Sequence, residues 1–252
     1  MKSFFSRFAA EGRLIASPLA ESWRAVGYVG ATLGLLLVYL HQGSSTFFIG
    51  SISHWFTPGA RPLELQWWAT IYQHIAAFVL FLIIPLIYLK GIRKQKFSEL
   101  GLGFGDWRFG FKIVAPVGIL LVAIPGAISA SFMPDFIAEY PLAKLAWSSP
   151  GNFIVYELVY GLLYYTAYEA FFRGMLQFVL KERIGILGAI LVQTSITTLL
   201  HIGKPQGEIW SALFAGLIFG TLAFRLKSVW PLWIIHFSLG FFTDLFCSVR
   251  GG

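Results

Sequence analysis

The chain has 252 residues, of which 57% are hydrophobic and only 12% are charged. Its mean hydropathy of +0.71 lies far from the composition of soluble domains. Apolar runs of about 16 to 28 residues recur along the chain, and runs near 20 residues are long enough to cross a bilayer. The runs are continuous instead of alternating, which argues against a barrel. The composition therefore predicts an all-α, polytopic membrane bundle.

The net charge of +7 has a simpler explanation than nucleic-acid binding. In membrane proteins Lys and Arg gather in the cytoplasmic loops, so we expect no nucleic-acid partner. Cys247 is the only cysteine, which excludes an intrachain disulfide framework and a cysteine-rich metal site. No cleavable signal peptide is evident before the first apolar run.

The N-terminal segment, residues 1–24, mixes four basic residues with Phe4, Phe5 and Phe8. This pattern is typical of a short amphipathic segment on the membrane surface, and a frayed basic tail is the alternative.

About seven membrane spans follow in chain order. Their predicted bounds are 25–41, 66–89, 111–133, 153–180, 186–201, 209–224 and 229–246. Basic residues follow the second, fourth and sixth spans, most densely in the sequence KGIRKQK at 90–96. This distribution predicts a cytoplasmic N-terminus and a C-terminus on the outer side.

Several ionisable residues fall inside these runs, where a charge is costly and usually marks function. They are His74, Glu157, Glu169, Arg173, His201, His236 and Asp244. Glu157 and His74 are expected to line a polar entrance, without a catalytic role.

Glu169 and Arg173 are spaced i, i+4, so they share a helix face and can pair. One interpretation is a buried ion pair that only fixes helix packing. The other is that Arg173 holds the Glu169 carboxylate ionised and aimed, so that it can act as a base.

His201 ends the fifth predicted span, and His236 lies inside the seventh. Taken alone, either is usually a structural histidine, but two intramembrane imidazoles beside a Glu–Arg pair indicate proton transfer or oxyanion binding. Together with Glu169 they also have the composition of a catalytic zinc site. The chain lacks the H-E-x-x-H motif, so we expect no metal or other cofactor, with zinc as the less favoured alternative.

The order of these residues resembles that of a known family. Glu169-x-x-x-Arg173-Gly174 is followed by His201 and then by ALFAGLIFGTLAFRLKSVWPLWIIH, which ends at His236. This order is similar to that of the CPBP family, the CAAX protease and bacteriocin-processing family of intramembrane endopeptidases. The likeness covers about residues 153–246, and it implies an all-helical membrane bundle that includes glutamate-dependent peptidases.

The resemblance implies roles for four residues. Glu169 and Arg173 match the second Glu and the Arg of an E-E-x-x-x-R motif, and His201 and His236 match its two later histidines. In the family a glutamate and the first histidine activate a water molecule. The second histidine, with an Asn or Asp four residues later, stabilises the oxyanion.

The chain departs from the family pattern at three places. Tyr168 stands where the first Glu is expected, Gly240 where the Asn or Asp is expected, and Thr197 where a Phe precedes the first histidine. Glu169 is the first candidate to replace the lost Glu, with Tyr168 donating to an oxyanion or orienting a water. Asp244 or Thr243 could replace the Asn.

The sequence therefore predicts an intramembrane glutamic-type peptidase with Glu169, Arg173, His201 and His236 as catalytic residues. Its partners would be the lipid bilayer and a membrane-anchored protein or peptide substrate, of CAAX, bacteriocin or C-terminal sorting-signal type. We expect three family-variable helices in 1–152, a catalytic core in 153–246 and a tail at 247–252, in a bacterial inner (plasma) membrane. The alternatives are a catalytically inactive scaffold and a small transporter.

Overall fold

The computed structural model describes residues 23–251, which are almost entirely helical and contain no strand in that range. The predicted polytopic helical bundle is confirmed. The predicted amphipathic segment at 1–24 lies almost wholly outside the described residues.

Nine helices are labelled here in chain order, and several of them contain π-helical turns. They are α1 Trp23–His41, α2 45–56, α3 Pro62–Ile92, α4 Trp107–Ala130, α5 Pro134–Glu139, α6 150–184, α7 186–199, α8 Gln206–Leu226 and α9 Trp230–Gly251. Short 3₁₀ turns lie at Phe97–Leu100 and Lys144–Ser148.

Five of these helices, α1, α3, α4, α8 and α9, are long and apolar enough to cross a membrane. The fourth and fifth predicted spans coincide with α6 and α7, which do not belong to that set. Helices α6 and α7 meet at Gly185, whose φ of +74° is a left-handed conformation that glycine adopts at little cost. The chain can therefore reverse direction there without a longer loop.

Contacts between loops divide the bundle into two ends. At one end Lys204 pairs with Glu139 at 2.6 Å, and the guanidinium of Arg250 lies 3.6 Å from the ring centre of Phe132. At the other end Arg225 pairs with Asp106 at 3.0 Å. The loops after α4 and α7 thus share one end with the end of α9, as alternate crossings by α4, α6, α7, α8 and α9 require.

Helix α6 forms the centre of the bundle. Every residue from Glu169 to Leu176 is buried, whereas α4 exposes large apolar side chains such as Leu120 and Leu121. Phe81 of α3 stacks on Phe171 of α6, with ring centroids 5.3 Å apart. Outward apolar residues suit a lipid environment, and a helix enclosed by its neighbours can carry polar groups that lipid would reject.

Candidate active site

A buried ionic chain links α6 to α9. The Arg173 Nη1 atom lies 3.2 Å from Glu169 Oε1, which confirms the predicted i, i+4 pair, and His236 Nδ1 lies 2.7 Å from the same oxygen. Because a carboxylate oxygen can only accept, the Nδ1 atom of His236 carries the hydrogen. Glu169 thereby fixes the ring orientation of His236.

The side chains of Glu169, Arg173 and His236 differ in their access to solvent. The side chains of Glu169 and Arg173 are 0% and 2% exposed, whereas that of His236 is 21% exposed. Neither Glu169 nor Arg173 lines the cavity described below, and His236 does. Of these three side chains, only the imidazole of His236 can therefore contact a substrate directly.

Tyr168 occupies the space between the charged chain and the two histidines. Its ring lies 4.7 Å from the Arg173 guanidinium carbon, in cation–π geometry. The same ring meets His236 edge-on at 5.4 Å and His201 edge-on at 6.4 Å. The residue at the position of the missing Glu thus packs as a wall between the imidazoles.

His201 follows the end of α7 and has a fixed tautomer. Its Nδ1 atom lies 2.7 Å from the carbonyl oxygen of Thr197, which can only accept, so Nδ1 carries the hydrogen. The Nε2 atom of the neutral ring then carries the lone pair. Gly203, with a φ of +93°, and Pro205 turn the chain directly afterwards, so that α8 begins beside His201.

A polar cavity of about 530 Å³, counting the part that opens to solvent, lies between the two histidines. Five tyrosines line it together with His74, Lys204 and Glu208; they are Tyr140, Tyr160, Tyr164, Tyr165 and Tyr168. The side chain of His201 is 18% exposed here. The cavity gives water access to both imidazoles.

Glu208 is a cavity residue that the sequence interpretation assigned no role. Its Oε1 atom lies 3.7 Å from His201 Nε2, and its Oε2 atom accepts a 2.6 Å hydrogen bond from the Tyr140 hydroxyl. Burial first, and then the Glu208 carboxylate, raise the pKa of Tyr140 well above its ordinary value, so its hydroxyl remains a donor. The available signal in the sequence was an acidic residue seven positions after His201, with a Gly and a Pro between them.

Tyr165 is a second cavity residue that the sequence interpretation missed. A Cβ atom added to Gly240 would overlap the Tyr165 hydroxyl oxygen. The ring of Tyr165 also lies edge-on to His236, with centroids 4.7 Å apart. The absence of a side chain at 240 therefore makes room for a phenol beside His236.

The remaining ionisable residues of the spans lie in three different settings. His74 is 1% exposed, lines the cavity and stacks on Tyr160 with centroids 4.6 Å apart. Glu157 and Asp244 are 3% and 0% exposed and adjoin each other, and neither lines the cavity. Asp244 is thus placed against α6 and does not stand in for the Asn beside His236, and Glu157 does not line the entrance.

Lys204 is already paired, because its ammonium donates to Glu139 Oε1 at 2.6 Å. Among residues 23–251, no group of three or more His, Cys, Asp or Glu side chains is arranged to hold a metal ion. Of the four predicted residues, His201 and His236 line the cavity, and Glu169 and Arg173 lie behind His236.

The comparison with protein families gives one match. Residues 146–242 match the family of type II CAAX prenyl endopeptidases described as Rce1-like. No curated protein and no solved structure matches the chain. The matched range contains α6, α7, α8 and the first half of α9, and so all four predicted site residues. Residues 146–242 are therefore similar to the Rce1-like domain, which is consistent with the CPBP family and supports an intramembrane protease activity in general.

Proposed function

We propose that this chain is an intramembrane endopeptidase that hydrolyses a peptide bond of a membrane-anchored protein inside the cavity between His201 and His236. The observation that carries this proposal is the fixed orientation of both imidazoles. Each imidazole commits its Nδ1 hydrogen to a protein acceptor, Thr197 or Glu169, and keeps Nε2 for the cavity. Two oriented imidazoles at one water-accessible site suit proton transfer and oxyanion binding.

The wall that contains His201 activates the water. The lone pair on Nε2 of the neutral ring accepts a proton from a cavity water as the water oxygen attacks the peptide carbonyl carbon. The carbonyl π electrons move to the oxygen, which becomes the oxyanion. When the C–N bond breaks, the leaving amine takes the proton from His201 Nε2, and the ring is neutral again.

The opposite wall stabilises the oxyanion. The Tyr165 hydroxyl lies against Gly240, at the place that an Asn would otherwise fill, and its ring packs against His236, so we assign this hydroxyl as a donor to the oxyanion. When the His236 ring carries a hydrogen on each nitrogen, it also donates from Nε2, and the Glu169 carboxylate then balances its charge. Arg173 keeps Glu169 ionised and in place, so both residues act through His236.

The first prediction concerns cleavage. The purified protein in liposomes should cleave at least one of three internally quenched probes: a peptide ending in a farnesylated C-a-a-X sequence, the same peptide without the farnesyl group, and a single-span peptide. Fluorescence release gives the rate. We expect His201→Ala and His236→Ala each to reduce kcat/KM below a tenth of the wild-type value, because positioned acids and bases contribute about 100-fold or more.

Three outcomes would contradict the proposal. Equal cleavage by the wild type and both variants would show that the site lies elsewhere. Binding of a probe without cleavage would favour an inactive scaffold. If a chelator abolished activity and zinc restored it, the metal-free mechanism would be wrong. We expect a chelator to leave the rate unchanged.

The second prediction concerns orientation in a bacterial inner membrane, for which the basic loops after the second, fourth and sixth spans are the support. A C-terminal alkaline phosphatase fusion should be active and a C-terminal green fluorescent protein fusion should be dark. Fusions truncated in the basic loop at 90–96 should behave oppositely. Fluorescence of the C-terminal fusion would place the cavity on the cytoplasmic side.

A further inference from the structure

We propose that Glu208 supplies the carboxylate of the water-activating pair, working with His201 in place of the glutamate that Tyr168 displaces. This inference rests on the proposed peptidase function and names a catalytic residue for the same site. Glu208 comes from the first turn of α8, outside the central helix on which the resemblance places both glutamates.

The distance between the two groups fits a bridging water. The 3.7 Å between His201 Nε2 and Glu208 Oε1 is too long for a good direct hydrogen bond. A water oxygen about 2.8 Å from each atom forms a closed triangle with them and donates one hydrogen to each. Both side chains are about one-fifth exposed and line the cavity, so a water molecule can reach this position.

The other contacts of Glu208 leave Oε1 available for that water. Tyr140 donates its hydroxyl hydrogen to Oε2 at 2.6 Å, which fixes the carboxylate plane and leaves the lone pairs of Oε1 unused. Lys204, the nearest cation in sequence, is held by Glu139 at 2.6 Å. The first turn of a helix also favours a negative charge, which offsets part of the cost of burying the Glu208 carboxylate.

The position of Glu208 specifies what it does in the reaction. The bridging water donates one hydrogen to His201 Nε2, which takes that proton during attack, and the other to Glu208 Oε1. The water lone pair is thereby aimed away from both groups, toward the substrate carbonyl. As His201 becomes an imidazolium, the Glu208 carboxylate faces it and stabilises its charge. The leaving amine then removes the same proton, and Glu208 is unchanged.

Glu169 cannot fill this role in the observed geometry. Its side chain is 0% exposed, and its Oε1 atom accepts from His236 and faces Arg173. Glu208 is the carboxylate that lines the cavity among the residues described. The chain thus divides between two helices the two acidic functions that the E-E motif would place side by side.

The test compares Glu208→Gln with the control variant Glu182→Gln in the liposome assay with the three quenched peptides. Glutamine at 208 keeps the volume and an acceptor for Tyr140 but removes the charge. We expect kcat to fall about 100-fold, which is the lower end of the range for a positioned acid–base group. KM should change less than threefold. Glu182→Gln removes an exposed carboxylate near the end of α6, at the opposite end of the bundle, and should stay within twofold of the wild type.

Further variants distinguish catalysis from folding. Glu208→Asp keeps the charge and should retain more activity than Glu208→Gln. Formate should partly restore Glu208→Gly, because a free carboxylate can occupy the vacated volume. If the wild type cleaves a probe and Glu208→Gln has the same kcat, this inference is overturned and the peptidase proposal is unaffected. Wild-type failure to cleave any probe counts against the peptidase proposal alone.

In that last case the water can be observed directly. Nitrogen NMR of labelled histidine should give the Nδ1–H tautomer for His201 and a shift of its Nε2 signal in Glu208→Gln, with no such shift in Glu182→Gln. A high-resolution structure should show an ordered water within hydrogen-bonding distance of Nε2 and Oε1. Absence of both the shift and the water overturns the inference without reference to activity.

Discussion

Glu169→Gln should reduce kcat/KM by about 1,000-fold, because it removes the charge that orients His236 and balances it in the transition state. The glutamine amide is neutral. Its NH2 group can also occupy the position of the oxygen that now accepts from Nδ1. His236 would lose both its fixed ring orientation and its counter-charge. The quenched peptides in liposomes provide the measurement, as kcat and KM separately, and we expect the loss to lie in kcat.

The same substitution also affects stability, since Arg173 is 2% exposed and would be left without its partner. Breaking a buried ion pair typically costs about 3–5 kcal/mol, so a folding defect could imitate a catalytic one. The double variant Glu169→Gln, Arg173→Met separates the two effects. Methionine can fill the space against the Tyr168 ring, 4.7 Å from the guanidinium carbon.

We expect thermal unfolding in detergent to show Glu169→Gln strongly destabilised and the double variant close to the wild type. The double variant should remain about as inactive as Glu169→Gln. Recovery of activity with recovery of stability would mean that the pair only fixes packing. Asp106→Asn is the charge control, because its 3.0 Å ion pair with Arg225 is exposed at the other end of the bundle. It should change stability by no more than about 1 kcal/mol and leave activity unchanged.

The sequence predicted the parts of this site that follow local rules. Helical periodicity placed Glu169 and Arg173 on one face, and the structure confirms their contact at 3.2 Å. Apolar run length predicted seven of the nine described helices, with errors of up to five residues at their ends, and it missed the short α2 and α5. The ordered motif suggested that His236 would approach Glu169, and the two side chains are in hydrogen-bond contact.

The sequence could not predict contacts that depend on packing between helices. Asp244 was a candidate beside His236 because it lies eight residues later, two helical turns on. Its side chain instead adjoins Glu157 of α6, because the rotation of α9 about its axis is set by neighbours. Glu208 returns to His201 only because Gly203 adopts a left-handed φ of +93°, which allows a tight turn. Neither feature has a periodic signal.

Gly240 is the clearest example of a departure that only the structure explains. In the sequence it reads as the loss of an oxyanion donor four residues after His236. In the structure the missing side chain admits the Tyr165 hydroxyl, since a Cβ atom at 240 would overlap its oxygen. A residue from α6 thus reaches the position that α9 leaves empty, and no pattern within α9 could indicate this.

Tyr165→Phe should therefore reduce kcat by about 100- to 1,000-fold with KM nearly unchanged, as removal of one oxyanion donor does in other hydrolases. Phenylalanine keeps the ring that packs edge-on against His236 at 4.7 Å, so the loss isolates the hydroxyl. Gly240→Ala should impair the wild type, because its methyl group displaces the same hydroxyl. Tyr72→Phe, which removes an exposed hydroxyl bonded to the Gln42 carbonyl away from the site, is the matched control and should leave kcat unchanged.

A rescue variant decides whether Tyr165 replaces the family's Asn. Tyr165→Ala alone should be as inactive as Tyr165→Phe. Adding Gly240→Asn to Tyr165→Ala should raise kcat at least tenfold, since the amide can occupy the space that the phenol leaves. Thermal unfolding of both variants checks that folding does not differ. If Gly240→Asn restores nothing while Tyr165→Phe keeps full activity, Tyr165 only fills space, and the oxyanion must be stabilised by His236 without a donor from α6.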